Sequence, residues 1–557
     1  MEKLLPIGID DFKEIVNTCY YVDKTMLVDE IIQAPNNSVF LFTRPQRFGK
    51  SLSLSMLRYY FSMQEDSAAL FKDLLIGKVE RAKSYLNSVP VVRFNFKGTV
   101  EETFEGVMNR FRSCIADGFR QVSGLIDLTK LNEYDADYYR LASKGDASID
   151  YADAIKNLSR MLFLSTEKRT IFLIDEYDAP VESARLKGFY DPLLAFLRNF
   201  YSEGLKSNEY LGKAVLTGVT RIAKESLFYG LNNLTSSSLL STYYGEYFGF
   251  SEKEVKDLLS YYHKENEFAF VQEWYGGYRI AGKEYFNPWS VLSYLRYPNE
   301  PDHLYWTNTT SFSSLGELLF SASSENIGKI SQLFGEESVT CFLDDGISYA
   351  SIGDNSVLFS YLFNLGYLTI KEKVSPRAYE VRFPNREIRD VFILEIYERF
   401  VVPLENSLGE SLFDTLKNCS HTQEGDNFEK ELNNKVFSAF SPLDYSDPRA
   451  MQVAVLVLTS IAFGSRRVRS EVNSGQGRCD IIVYPQNSGS LGILIEVKCT
   501  EKRLSENQLK ARAKTALNQI RSMEYKEELE RAGASPIIAY GFAFSGKRVS
   551  LAKERLS

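Results

Sequence analysis

The sequence predicts a multidomain α/β protein, and three observations carry that reading. An apolar strand candidate, Val39-Phe40-Leu41-Phe42, runs through the turn Gly49-Lys50-Ser51 into a helical stretch, Leu52 to Phe61. A second apolar run, Ile171-Phe172-Leu173-Ile174, ends in Asp175-Glu176. Far downstream, two strand candidates joined by a Gly- and Ser-rich turn carry Asp480, Glu496 and Lys498. Apolar strands alternating with helical stretches form parallel sheets with helices on their faces. A chain of 557 residues is too long for one core, so about two to four domains are expected.

The first element is a strand–loop–helix unit. In Phe42-Thr43-Arg44-Pro45-Gln46-Arg47-Phe48-Gly49-Lys50-Ser51, Gly49 lets backbone approach a phosphate, Lys50 supplies a cation, and the Ser51 hydroxyl can ligate Mg²⁺. Exposed N–H groups at the helix start add to the attraction, with Arg47 and Phe48 completing the loop. Arg44 stands where the standard pattern has its first glycine. A capped helix after a core strand would look the same, so the loop needs support from elsewhere in the chain.

The second element supplies it. The stretch Thr170-Ile171-Phe172-Leu173-Ile174-Asp175-Glu176-Tyr177-Asp178 is a buried-strand pattern whose C-terminal end delivers carboxylates to a crevice. Asp175 would hold the Mg²⁺ shell and Glu176 would polarise the attacking water. A third apolar strand, Ala214-Val215-Leu216, leads into Thr217-Gly218-Val219-Thr220-Arg221. Thr217 fits a sensor of the terminal phosphate and Arg221 a charge stabiliser, although a turn threonine and a surface arginine would give the same pattern. Residues 91–96 make a further strand candidate.

These stretches, with Pro6-Ile7-Gly8-Ile9-Asp10-Asp11-Phe12-Lys13, Tyr20-Tyr21-Val22-Asp23-Lys24-Thr25 and Ile174-Asp175-Glu176-Tyr177-Asp178-Ala179-Pro180, resemble the bacterial AAA-ATPase-like family. The resemblance continues through Trp274-Tyr275-Gly276-Gly277-Tyr278, Asn287-Pro288-Trp289-Ser290 and Phe383-Pro384-Asn385, and covers nearly the whole chain. That family's phosphate loop also has Arg before Pro in place of the first glycine. The resemblance implies ATP and Mg²⁺ as cofactors, and a C-terminal PD-(D/E)XK nuclease-like domain.

The middle of the chain reads as helical. Ser251 caps a helix over residues 252–262, Asn287-Pro288 starts another, and a helical lid is expected here. Trp274, Tyr275, Tyr278 and Trp289 fit the core of that lid better than a cofactor box. An apolar helix over residues 357–368, followed by β-rich Tyr379-Glu380-Val381-Arg382-Phe383, is similar to a winged helix. The polar stretch from Cys419 to Asn427 is the linker candidate.

In the last segment, Gly477-Arg478-Cys479-Asp480-Ile481-Ile482-Val483-Tyr484 and Leu491-Gly492-Ile493-Leu494-Ile495-Glu496-Val497-Lys498 read as a hairpin. Glu496 and Lys498, two apart on a strand, share a face. Asp480 and Glu496 together would bind a divalent cation, preferably Mg²⁺, and Lys498 would activate the water that attacks a phosphodiester. This is the Asp…Glu-x-Lys layout of PD-(D/E)XK nucleases, although a surface hairpin with an ion pair would share it. An amphipathic helix over residues 511–525 carries Gln519, where the resemblance implies a glutamine reaching the site or the DNA. Lys510, Arg512, Lys514 and Arg521 lie on or near it and could meet phosphates. The preceding helix, near Gln452 to Ile461, carries no acid, and Glu471 is the nearest substitute.

Charge distribution and composition agree with these expectations. Net charge is −8, yet residues 465–557 hold 17 Lys+Arg against 10 Asp+Glu, a balance of +7, and the other 464 residues carry −15. A basic segment on an acidic body points to phosphate backbones, with DNA the expected partner, although a solvated charged face would give the same balance. Three dispersed histidines, His263, His303 and His421, argue against a His-based zinc site or a Ser-His-Asp hydrolase. Six scattered cysteines with no CxxC pair, and a start with no export signal, suggest reduced thiols in a cytoplasm. The most apolar window, residues 453–463, is too short to span a bilayer, so no membrane association is expected.

The full expectation is therefore an AAA-like P-loop ATPase over residues 1–245, a helical lid over 246–300, a helical or winged-helix region over 301–424, and a nuclease-like domain over 425–557. Its function would be ATP binding and hydrolysis coupled to Mg²⁺-dependent DNA cleavage. The alternative is a nucleotide-regulated signalling or scaffold protein whose nuclease-like domain is inactive and only binds nucleic acid or protein. The sequence leaves a homo-oligomer or a protein partner open.

Overall fold

The computed structural model describes residues 2–222, 227–228, 230–300, 303–306, 324–334, 338–346, 356–400, 455–456, 459–460, 463, 467–474, 477–500, 504–545 and 548–556. The linker candidate at 419–427 and most of the helix expected near 452–461 lie outside the described residues. The chain divides into two compact units. One holds residues 1–314, 343–352 and 359–369, and the other 315–342, 353–358 and 370–557.

The first unit is built on a parallel sheet of β1 (Ser38–Thr43), β2 (Val91–Asn95), β3 (Thr170–Asp175), β4 (Leu211–Gly218) and β5 (Leu234–Ser237), in the order β2-β3-β4-β1-β5. Every residue of β3 and β4 is buried, which explains why they read as unbroken apolar runs. On one face, Phe40, Phe42, Leu173 and Val215 pack with Leu54, Leu57 and Tyr60 of the helix Lys50–Phe61. On the other, Phe96 stacks on Phe111 at 4.6 Å between ring centroids, and Phe111 meets Phe200 edge-on at 5.0 Å. β4 lies between β1 and β3, so the loops after all three strands open onto one edge of the sheet.

Residues 251–297, expected as helices, contain a small antiparallel sheet as well. β6 (Phe250–Ser251), β7 (Tyr278–Ile280) and β8 (Lys283–Phe286) pair in the order β6-β8-β7. Strands of two to four residues are too short to show a period of two. The turn between β7 and β8 has left-handed φ at Ala281 (54°) and Gly282 (79°), the geometry of a tight hairpin. The helices are where the caps placed them. Glu252–Tyr261 starts at a capping box, with Ser251 N–H donating to the Glu254 carboxylate at 2.7 Å, and Pro288–Arg296 starts at Asn287. Trp274 and Tyr275 are buried among Val255, Leu259, Phe286 and Val291.

In the second unit, β9 (Val339–Phe342), β10 (Thr369–Ser375) and β11 (Ala378–Arg382) form a three-stranded sheet in the order β10-β11-β9. The hairpin expected after the helix Leu358–Leu365 is therefore present, with a third strand beside it. The unit's main sheet runs β12 (Val468–Ser474), β13 (Gly477–Val483), β14 (Gly492–Thr500), β15 (Ile537–Ser545) and β16 (Arg548–Arg555) in sequence order. Its pairs are antiparallel except β14 with β15, which are parallel. The helix Glu506–Ser522 makes the crossover between those two. It begins earlier than expected because Ser505 and Gln508 form a capping box.

Candidate functional site

The loop between β1 and the helix Lys50–Phe61 closes around the Lys50 ammonium. Gly49 takes φ +86° ahead of Lys50, a left-handed conformation that glycine adopts without strain. The Lys50 ammonium donates to the carbonyls of Arg44 (2.9 Å) and Pro45 (3.0 Å), which leaves one N–H of the ammonium for a ligand. Lys50 is buried, and desolvation pulls its pKa down while Glu176, Asp178 and Asp175 oppose that shift. Arg44 points the other way. Its guanidinium, fully buried, donates to Thr43 O, Ser237 O, Ser237 Oγ and Tyr244 O, and lies 5.1 Å from the Phe248 ring centroid. An arginine replaces the usual glycine here without lining the cleft, because its side chain is anchored behind the loop.

The acids arrive from β3. Asp175 is 1% exposed, with Oδ1 accepting from the Thr217 hydroxyl at 2.6 Å. Glu176 follows at φ +53° and lines the same cleft. Burial raises its carboxyl pKa, with Lys50 the main opposing charge. Asp178 Oδ2 accepts from the backbone N–H groups of Val219 (3.1 Å) and Thr220 (2.7 Å) and from the Thr220 hydroxyl (2.8 Å). Asp178 thus ties the end of β3 to the loop after β4.

These groups line one cleft of about 1050 Å³, together with residues 46–53, Lys24, Asn95, Tyr20, Tyr21 and Trp289. Arg47, at φ +66°, lays its guanidinium over the Trp289 ring 4.2 Å from the centroid. Trp289 is therefore not lid core: it is half-buried and faces the loop. Phe48 is buried edge-on against Tyr278 at 5.0 Å and holds the loop from below.

Two residues read as cleft-facing are placed otherwise. The Thr217 hydroxyl is committed to Asp175 in a fully buried position, so it acts on the carboxylate rather than on a phosphate. Arg221 forms an ion pair with Asp345 and is not among the residues lining the cleft. Asp178 and Trp289 were in stretches singled out from the sequence without being given a role at a site. An Asp three residues after a strand-end acid is the only signal that pointed to the first.

The carboxylate hairpin in the second unit forms as expected. β13 and β14 are antiparallel with Ile481 opposite Ile495, so the next step of the register sets Asp480 against Glu496. Asp480 Oδ2 accepts from the Val497 N–H at 2.7 Å. Glu496 is 1% exposed, and its Oε1 pairs with the Lys498 ammonium at 2.7 Å. Gln519 donates to the Tyr525 hydroxyl at 3.3 Å. Burial raises the pKa of that hydroxyl, and the nearby Glu496 and Asp480 charges add to the rise, so the glutamine approaches the acids through Tyr525. Of the helix cations, Lys510 pairs with Glu506 at 2.8 Å and Arg521 pairs with Glu554.

Both sites fit the groups their chemistry calls for. In the first, loop N–H groups, Lys50 and Ser51 would hold a triphosphate and Asp175 its Mg²⁺. The second has two converging carboxylates and an ammonium for a divalent cation. The fold and these two sites define a P-loop α/β domain followed by an α/β domain of nuclease type. The comparisons with known proteins agree. Residues 6–228 match the family model described as "Predicted AAA-ATPase", and residues 451–554 match that of the PD-(D/E)XK nuclease superfamily. Residues 6–228 are thus AAA-ATPase-like, and residues 451–554 are PD-(D/E)XK nuclease-like. A protein of Azotobacter chroococcum mcd 1, described as "Uncharacterized protein in vnfD 5'region", is 28% identical over 400 residues, covering 70% of this chain and 68% of its own. The solved structure of the Aeropyrum pernix ORC2 protein (ADPNP-ADP complexes) aligns with 68% of this chain and 91% of its own, at 10% identity and a TM-score of 0.26.

Proposed function

We propose that this protein binds and hydrolyses ATP with Mg²⁺ in the first unit and cleaves DNA with Mg²⁺ in the second. The observation that carries the reading is the convergence of Lys50 with Asp175 and Glu176 on one cleft from two separate parts of the chain. Lys50 and the N–H groups of residues 47–51 would hold the phosphates, with Arg47 beside them. Ser51 and Asp175 would ligate the metal, and Glu176 would orient the attacking water. Thr217 would keep Asp175 in place. The bound metal would neutralise charge on the terminal phosphates.

In the second unit, Asp480 and Glu496 would hold the metal, Lys498 would position or deprotonate the attacking water, and Gln519 would orient Tyr525. DNA is the proposed partner, drawn by the positive balance of residues 465–557. Among the described residues no helix is long and apolar enough to cross a membrane, and none of the cysteines forms a disulfide. A cytoplasmic protein is the reading this supports.

One observation favours a second reading, in which the nuclease-like domain only binds. Among the described residues no three His, Cys, Asp or Glu side chains come together as a metal cage. Incubating plasmid and single-stranded DNA with the protein and Mg²⁺ or Mn²⁺ separates the two. Cleavage by the wild type that Asp480→Ala abolishes supports the enzyme. DNA retention by both proteins with no cleavage supports the binding module.

A further inference from the structure

The three acids of the nucleotide cleft are each compensated by a different group. Asp178 takes backbone and hydroxyl donors from Val219 and Thr220, and Glu176 has the Lys50 ammonium as its main opposing charge. Asp175, 1% exposed, has the Thr217 hydroxyl on Oδ1, and on its other side the Arg93 guanidinium, with Nη2 3.6 Å from Oδ2. A buried carboxylate beside two other acids is costly unless a cation stands next to it.

Arg93 is placed for that role by its strand. It lies on β2, two residues before Asn95, which pairs in register with Asp175 and lines the cleft, so Arg93 and Asn95 share a face. β2 is an edge strand, and its open side is closed at this residue by Gln121. The Gln121 Oε1 accepts from Arg93 N–H at 3.2 Å and its Nε2 donates to Arg93 O at 3.1 Å. The backbone is thereby fixed while the side chain is lightly held. Arg93 Nε is buried with no hydrogen-bond partner among the described residues, as is Arg44 Nε, but Arg44 makes four hydrogen bonds through its terminal Nη1 and Nη2 atoms.

We propose that Arg93 is a placeholder cation for the Mg²⁺ site. It neutralises and orients the Asp175 carboxylate before metal·nucleotide arrives, and it competes with the metal for that carboxylate afterwards. This rests on the reading of the cleft as an ATP site. Arg93 is a positioning residue, acting through Asp175 and not on the nucleotide. By this account the chain sets its own threshold for Mg²⁺, since a fixed positive charge beside a ligand weakens binding of a second positive charge.

The test compares wild type, Arg93→Gln and Arg93→Lys as full-length protein, using thermal melts with and without Mg·ATP and a Mg²⁺ titration of ATP binding. Arg93→Gln is expected to melt lower than wild type without metal, and that deficit is expected to shrink when Mg·ATP is added. Its half-saturating Mg²⁺ concentration is expected to fall by about tenfold, the lower end of what one adjacent charge does to a carboxylate's affinity for a cation. Arg93→Lys, which keeps the cation, is expected to follow the wild type. An equal deficit with and without Mg·ATP, or an unchanged or raised Mg²⁺ requirement, would mean that Arg93 is an ordinary structural arginine and would overturn the proposal. A wild type that Mg·ATP neither binds nor stabilises overturns the ATP reading itself, and this proposal with it.

Discussion

Arg44, at the head of the phosphate loop, is hydrogen-bonded twice to Ser237 at the end of β5: Nη1 to the carbonyl at 2.8 Å and Nη2 to the hydroxyl at 3.0 Å. The residue that breaks the standard loop pattern is thus a structural clamp between the loop and the edge of the sheet. Burial lowers the guanidinium pKa to about 10, so it remains charged at neutral pH.

Arg44→Gly would restore the usual glycine, yet it is expected to harm the protein. It leaves Ser237 O, Thr43 O and Tyr244 O without their charged donor, at a cost of about 3 kcal/mol. Chemical denaturation of the two proteins measures this. A stability equal to wild type would mean that the clamp contributes nothing.

Glu176 gives a pH-dependent prediction. Burial raises its carboxyl pKa above the ordinary 4.5. In that window the folded state keeps a proton that the unfolded chain has lost, so stability falls as pH climbs from 4.5 through the raised value. Glu176→Gln removes this contribution. It is expected to melt higher than wild type at neutral pH, to show a shallower decline across the window, and to bind ATP while hydrolysis drops by about 10²-fold or more. Asp178, also raised by burial, keeps part of the slope in the variant. Melts over a pH series and a phosphate-release assay check both halves.

Trp289 offers an optical readout. Of the three tryptophans, Trp274 and Trp306 are buried at 2% and 0% exposure, whereas Trp289 lines the cleft under Arg47. ATP binding is expected to change indole emission, and Trp289→Phe is expected to abolish that change while binding persists in calorimetry. A signal that survives the substitution would place the responding tryptophan elsewhere.

The stretches behind the two candidate sites were legible because each is local. A strand running into Gly49-Lys50-Ser51, a strand ending in Asp175-Glu176, and a hairpin bearing Asp480 and Glu496 each declare themselves within a short stretch. The central parallel strands were legible for the same reason, being unbroken apolar runs. What the sequence hid depends on distant partners. Thr217 turns inward because Asp175 is beside it on the neighbouring strand, and Arg221 is drawn aside by Asp345. Trp289 lies under the Arg47 guanidinium, and Arg93 reaches Asp175 because β2 lies next to β3. The β6-β8-β7 sheet was missed because its strands are too short to show alternation.

The central claim is that residues 47–51 hold a nucleotide's phosphates, and calorimetric titration of Mg·ATP into wild type and Lys50→Ala tests it most directly. The account predicts saturable binding to the wild type and a loss of about 100-fold in affinity for the variant, the effect of removing a charge-assisted hydrogen bond of nearly 3 kcal/mol, with the circular dichroism spectrum unchanged. Affinities equal for the two proteins, or no binding of any nucleoside triphosphate by the wild type, would contradict it.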